Sequence, residues 1–101
     1  MRHLGVMRGA GTLDSSGEVI GRADFELDGY LVGPGEVVAS GEIRMAADAL
    51  TNAFGRRDLS LRTDDGRVLA IRFSGKRRGA PDTAAHADVH GGLPLEKEWR
   101  R

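Results

Sequence analysis

The stretch EVIGRADFEL, residues 18–27, decides the fold class of this chain. Small or apolar residues occupy every second position: Val19, Gly21, Ala23, Phe25 and Leu27. The positions between them are mostly charged: Glu18, Ile20, Arg22, Asp24 and Glu26. A period of two is typical of a strand that buries one face. The stretch therefore predicts a half-buried β-strand.

Similar alternation and turn-forming residues predict further strands on either side. Val37, Ala39, Gly41, Ile43 and Met45 repeat the pattern, as do Leu69, Ile71 and Phe73 behind an Asp-Gly turn. Gly-Pro-Gly at residues 33–35 and Asp65-Gly66 are turn sequences. The predicted strands cover residues 3–13, 18–28, 36–45, 58–63, 67–74 and 85–90. We expect a shared core of Phe25, Leu27, Ile43, Leu61, Ile71 and Phe73.

Residues 46–54, AADALTNAF, change to a helical pattern. Their apolar residues form one stripe, and Gly55 follows as a C-cap. The chain is therefore expected to be all-β and mainly antiparallel. We expect a six-stranded barrel or a two-sheet sandwich, with one short helix between strands three and four that covers an open end. Residues 1–92 form one domain, and residues 93–101 form a tail that is disordered or packed on a neighbouring subunit.

Composition limits the possible functions. The chain of 101 residues contains no cysteine, so thiolate catalysis and disulfides are excluded. It has no apolar run suited to a signal peptide or a membrane span, which predicts a cytoplasmic protein with no membrane partner. Residues 1–54 carry four basic and eight acidic residues, whereas residues 55–101 carry eleven and seven. Two explanations stay open: cross-strand ion pairs, or a bipolar surface that joins subunits or recruits an anionic partner.

A basic stretch in the second half is the first candidate site. Arg62 and Arg72 are expected to share the outward face of the hairpin made by strands four and five, where guanidinium groups suit phosphate contacts. The overall pI near 6.8 and the scarcity of exposed aromatic residues argue against nucleic acid. The predicted anion-binding set comprises Arg56, Arg57, Arg62, Arg72, Lys76, Arg77 and Arg78.

The sequence HADVH near the end of the domain is the second candidate. His86, Asp88 and His90 alternate along the predicted last strand, so their side chains project from one face, within reach of one transition-metal ion. His3 is a fourth ligand if strands one and six are neighbours. The alternative is a solvated strand face whose inward side is Ala85, Ala87 and Val89.

No catalytic constellation is present in the sequence, because no serine stands in a nucleophile motif and the paired carboxylates lie on a wet strand face. We therefore expect a protein that is not an enzyme and needs no cofactor. Its expected function is protein–protein interaction, as a homo-oligomer or with another protein. The alternative is a module that binds a nucleotide or nucleic acid through the arginine-rich surface.

Overall fold

The computed structural model describes residues 1–74 and 83–99. Over these residues the chain forms six strands, one α-helix and one 3₁₀ turn at Glu96–Glu98. The strands are β1 (Arg2–Ser15), β2 (Glu18–Gly33), β3 (Glu36–Arg44), β4 (Leu59–Thr63), β5 (Val68–Phe73) and β6 (Ala84–Gly91). The helix, α1 (Ala47–Ala53), lies between β3 and β4 as predicted.

All neighbouring strands are antiparallel, and the sheet closes on itself in the order β1-β2-β3-β6-β5-β4. The all-β prediction is confirmed, and of its two forms the structure is the barrel. A closed barrel leaves fewer unpaired strand edges than a sandwich does. β1 pairs with β2 and β4, so the condition under which His3 would join the predicted metal site, that strands one and six are neighbours, is not met.

The barrel interior holds the predicted core. Ile43, Leu61 and Ile71 have no exposed surface, and Phe25, Leu27 and Phe73 are buried with them. Alternate positions of β6 behave likewise, because Ala87 and Val89 are buried and Ala85 packs against the core. Burial of one face of every strand is the main source of stability in such a domain.

The stretch that predicts the fold class contains one local error. Leu13 pairs with Gly21 but Asp14 pairs with Val19, so Ile20 is an extra residue in β2. A bulge of this kind shifts the side-chain alternation by one residue. As a result Ile20 packs against the core, and Val19 is 67% exposed instead of inward.

Helix α1 closes one end of the barrel. Leu50 and Ala53 are buried, and a Cβ at Gly21 of β2 would stand 3.3 Å from the Cβ of Ala49. Phe54, which ends the helix, stacks on Phe73 with ring centroids 5.6 Å apart. The expected stripe of the helix therefore covers the barrel end, as predicted.

The C-terminal tail covers the opposite end. Residues 93–99 pack on the barrel of their own chain, and an additional contact of the tail with a neighbouring subunit stays a prediction. Leu93 and Trp99 pack against the core, and a Cβ at Gly29 of β2 would lie 2.6 Å from the Trp99 ring. Arg2 also donates to Glu96 Oε2 at 2.6 Å. The missing side chain at Gly29 thus makes room for the indole.

The two ends differ because the strands differ in length. β1 and β2 have 14 and 16 residues, whereas β4 and β5 have 5 and 6. β4 pairs with β1 only over Gly11–Ser15, and β6 pairs with β3 only from Ala39 onward. The β1-β2-β3 sheet therefore projects beyond the rest of the barrel. We call this projection, residues 2–9, 29–33 and 36–38, the extended end.

Candidate functional site

The predicted arginine surface is not continuous. Arg62 pairs across the hairpin with Val68, while Arg72 lies at the other end of β5 and pairs with Asp88 of β6. The four residues from Val68 to Arg72 span roughly 13 Å at the rise of a strand. Both arginines face outward as predicted, but they do not form a stripe.

The other members of the set are dispersed or already bonded. Arg56 donates to the backbone oxygen of Asn52 at 2.9 Å, to its Oδ1 at 2.8 Å and to Ser15 Oγ at 3.3 Å. Arg57 is exposed beyond the helix. The predicted residues Lys76, Arg77 and Arg78 lie outside the described residues. The structure therefore does not bring this set together.

Ion pairs link the acidic and basic halves of the chain. Arg62 Nε donates to Asp14 Oδ2 at 3.1 Å, and Arg22 holds Asp64 with two bonds of 2.9 and 2.7 Å. The Arg22 guanidinium lowers the pKa of the Asp64 carboxyl. The Arg22–Asp64 pair is exposed on both sides, so solvent screens it, whereas the Asp14 carboxylate that Arg62 contacts is buried. The Arg62–Asp14 contact pairs a basic residue of the second half with an acidic residue of the first, which favours the first explanation of the charge split, cross-strand pairing.

A serine–aspartate cluster joins the β1–β2 turn to the start of β4. Ser15 Oγ donates to Asp58 Oδ1 at 2.7 Å, and Ser16 Oγ donates to Oδ2. These two bonds lower the pKa of Asp58. A carboxylate with a lowered pKa is a weaker base, so the cluster is poorly suited to activating a serine nucleophile. The cluster instead holds the β1–β2 turn against the start of β4, which is a structural role.

Replacing Asp58 with asparagine tests this tie through pH. The folded-state pKa lies below the ordinary value of 3.8, so the carboxylate stabilises the fold above that value, and this contribution disappears as pH falls below it. We expect the variant to be less stable than the parent at neutral pH and the difference to shrink below about pH 4. Thermal melts between neutral and acid pH measure it. A difference that stays constant down to acid pH would contradict the assignment.

His86, Asp88 and His90 share the exposed outer face of β6, as the alternation predicts. His86 Nε2 stands 3.8 Å from Asp88 Oδ1, and His86 pairs in register with Glu42 of β3. Among residues 1–74 and 83–99, no group of three or more His, Asp or Glu side chains is placed to hold a metal ion. The geometry thus gives the metal hypothesis no support.

His3 is not placed to act as a fourth ligand, because its strand is not a neighbour of β6. β2 and β3 separate its strand from β6 on one side of the barrel, and β4 and β5 separate them on the other. His3 Nε2 instead lies 3.0 Å from Asp28 Oδ1 of β2, and its ring meets Tyr30 edge-on. It is part of the outer face of the extended end.

The extended end carries an apolar surface. Val32 is 40% exposed and Leu95 of the tail 65%, and Leu31, Val37 and Val38 are half-buried. Leu31 precedes Val32 and pairs with Val37 across the β2–β3 ladder. Between the β2–β3 hairpin, the end of β6 and the tail lies a cleft of about 540 Å³. Val37, Val38 and Leu95 line this cleft, and Leu31 and Val32 belong to the neighbouring strand. We call these five residues the apolar patch.

A second cavity of about 340 Å³ lies on the other side of the tail, between β1 and the β4–β5 turn. We call it the seam pocket; Met7, Phe25 and Trp99 line it together with Arg8 and Arg67. The sequence analysis missed both regions. A signal was present, since a lone tryptophan in the tail and a glycine at an inward strand position predict a side chain packed over backbone.

These observations define the class of the protein: a closed six-stranded antiparallel barrel whose ends are covered by a helix and by its own tail. No known protein family, curated protein or solved structure matches the chain. Within the described ranges, the chain has no helix of the length and hydropathy needed to cross a membrane.

Proposed function

We propose that this barrel is a non-enzymatic protein that acts through protein–protein contact, and that its partner is a second copy of the chain bound at the extended end. The observation that carries this proposal is the apolar patch. Exposed apolar residues scattered singly need no explanation, but residues grouped beside a cleft on one end of a domain are typical of interaction sites.

The strand edge beside the patch favours a second copy as the partner. β6 pairs with β3 only from Ala39 onward, so Glu36–Val38 have no ladder partner on that side among the described residues. An antiparallel edge can pair with its own copy across a two-fold axis. A two-fold axis at Val37 places Glu36 opposite Val38 of the second copy. The Glu36 carboxylates of the two copies are therefore not directly opposite each other.

The charge of the chain is compatible with self-association. Its formal net charge is zero, so two copies do not repel each other through their overall charge. The alternative function, binding of a nucleotide or nucleic acid by the predicted arginine surface, is less favoured. Arg62 is paired with Asp14, Arg56 is bonded near the helix, and Arg72 lies at the opposite end of the β4–β5 hairpin from Arg62.

We expect Val32→Glu to weaken self-association at least about ten-fold, because each contact would bury an uncompensated carboxylate. Leu95→Glu should have the same effect, since its side chain is part of the same patch. Light scattering after size-exclusion chromatography, run over a series of concentrations, measures the molar mass and thereby the dissociation constant.

Val19→Glu is the matched control. Val19 is also an exposed strand valine, but it lies at the helix-covered end of the barrel. We expect this variant to associate like the parent. A parent protein that stays monomeric at the highest soluble concentration would overturn the proposal. Equal weakening by Val19→Glu would place the contact elsewhere.

A further inference from the structure

The seam pocket exists because β1 is much longer than its partner β4. β4 pairs with β1 only over Gly11–Ser15, and the turn after it makes one further backbone bond, from the N–H of Asp64 to the oxygen of Ala10 at 2.9 Å. Beyond this point β1 diverges from the β4–β5 turn. The tail crosses the gap, and the space left beneath it forms the pocket.

The floor of the pocket is apolar and aromatic. Met7 and Trp99 pack against the core, and Phe25 of the core also lines the pocket. Gly9 has no side chain to cover the Phe25 ring; a Cβ at this position would stand 3.4 Å from Phe25 Cζ. The volume of about 340 Å³ lies at the lower end of the roughly 300–1,000 Å³ of small-molecule sites. It suits one planar ring with a substituent.

The rim of the pocket has more hydrogen-bond donors than free acceptors. Each of its two carboxylates accepts one hydrogen bond: Asp65 accepts from Thr63 Oγ1, and Glu98 Oε1 accepts the N–H of Leu95 at 2.7 Å. Arg67 donates through Nη1 to the backbone oxygen of Gly92 at 3.3 Å. Arg8 Nη2 stands 3.6 Å from Glu26 Oε1, which is longer than a hydrogen bond.

The two guanidinium groups at the pocket have N–H donors that no acceptor of the described residues fills. A guanidinium has five N–H donors. Among the described residues, Arg67 uses one side-chain donor, to Gly92, and Arg8 makes only the long ion pair with Glu26. Two guanidinium groups with unused donors over an aromatic floor are complementary to an anion carried on a planar ring.

We propose that the seam pocket binds a small aromatic anion, with its carboxylate or phosphate held by Arg8 and Arg67 and its ring packed against Trp99 and Phe25. The ligand would lie under the tail and would bridge β1 to the β4–β5 turn where the ladder is missing. This proposal does not depend on self-association, because the seam pocket and the apolar patch have different lining residues.

The single tryptophan of the chain provides the readout. Its indole N–H gives one signal in a proton–nitrogen NMR spectrum, so a ligand in the seam pocket must move that signal. We expect benzoate and phenyl phosphate to shift it saturably, and the tighter of the two identifies the anionic group. Benzyl alcohol and benzylammonium, of similar size but neutral or cationic, should bind at least about ten-fold more weakly. Inorganic phosphate alone should also bind more weakly, because it has no ring to pack.

Two variants and one control complete the test. Arg8→Gln and Arg67→Gln are each expected to weaken benzoate binding about ten-fold or more, since each removes a charged donor pair. Arg44→Gln, on the outer face of β3 at the other end, should bind like the parent. Dispersed amide signals verify that each variant is folded. Benzyl alcohol binding as tightly as benzoate, or no shift of the Trp99 signal with any of the compounds, would overturn the proposal.

Discussion

Phe73→Ala is expected to lower the free energy of unfolding by about 3–5 kcal/mol, the usual cost of truncating a buried phenylalanine. Phe73 is 9% exposed, lies in the core and stacks on Phe54 with an angle of 18° between the rings. The ring therefore stabilises both the barrel wall and the docked end of α1. Its removal leaves a cavity between the two, because the surrounding strands are held by their ladders and cannot collapse into it.

Urea denaturation followed by circular dichroism measures this loss. A domain of this size has about 5–15 kcal/mol of total stability, so the variant should be marginally folded. Val68→Ala is the matched control, since Val68 belongs to the same strand but is 51% exposed, and its loss should be within about 0.5 kcal/mol. A Phe73→Ala melting temperature within about two degrees of the parent would contradict the assigned packing.

Gly41→Ala is also expected to destabilise the barrel strongly. A Cβ at Gly41 would stand 2.1 Å from the backbone oxygen of Glu26 and 2.9 Å from Leu27 Cα. Both neighbours are backbone atoms of β2, so a side-chain rotation cannot relieve the contact. β2 and β3 must separate, which disturbs their ladder. We expect a loss of about 1–3 kcal/mol, the range found for overpacked interiors.

Gly9→Ala separates this steric effect from the general effect of replacing glycine. Its Cβ would make only ordinary contact, 3.4 Å from Phe25 Cζ. Alanine restricts the unfolded chain more than glycine does, so a change that fits is expected to be neutral or to stabilise by about 0.4–1 kcal/mol. The two variants should therefore differ in sign or by more than about 1 kcal/mol. Equal losses would show that β2 and β3 can adjust to a side chain at position 41.

The proposals for the extended end and the seam pocket concern the two sides of one tail, and their tests can fail separately. Val32→Glu and Leu95→Glu alter the apolar patch and leave the arginines of the seam pocket unchanged. Arg8→Gln and Arg67→Gln alter the seam pocket and leave the patch unchanged. A monomer that binds benzoate would contradict self-association and support the seam pocket. An oligomer that does not bind any of the compounds would support self-association and contradict the seam pocket.

Local patterns in the sequence were sufficient for the strands, the helix and the core. Alternation at Phe25, Ile43 and Ile71 predicts inward positions correctly, because the side chains of a strand must point to opposite faces whatever the strand pairs with. The helix at Ala47–Ala53 is likewise visible, since its apolar stripe and the following glycine are local signals. These features depend on neighbours along the chain.

Features that depend on distant partners were not predictable in this way. Val19 and Ile20 exchange faces because Ile20 is an extra residue of β2, opposite Leu13 and Asp14 of β1. The position of this bulge depends on how β2 pairs with β1, and the local pattern of β2 does not specify it. The irregular pattern of the tail predicts disorder or packing on a neighbouring subunit and does not indicate a contact with the chain's own barrel. Trp99 finds one at Gly29, seventy residues earlier in the chain.

The sequence by itself determined the all-β class, the approximate positions of six strands and one helix, and the absence of thiol chemistry. Periodicity and residue chemistry are properties of short segments, so they need no knowledge of the final pairing. Tertiary structure decided the strand order, which separates His3 from His86, and the unequal strand lengths, which leave the extended end and the seam pocket. It also brought Arg8, Arg67 and Trp99 together, because only closure of the barrel brings the first strand, the β4–β5 turn and the tail to one place.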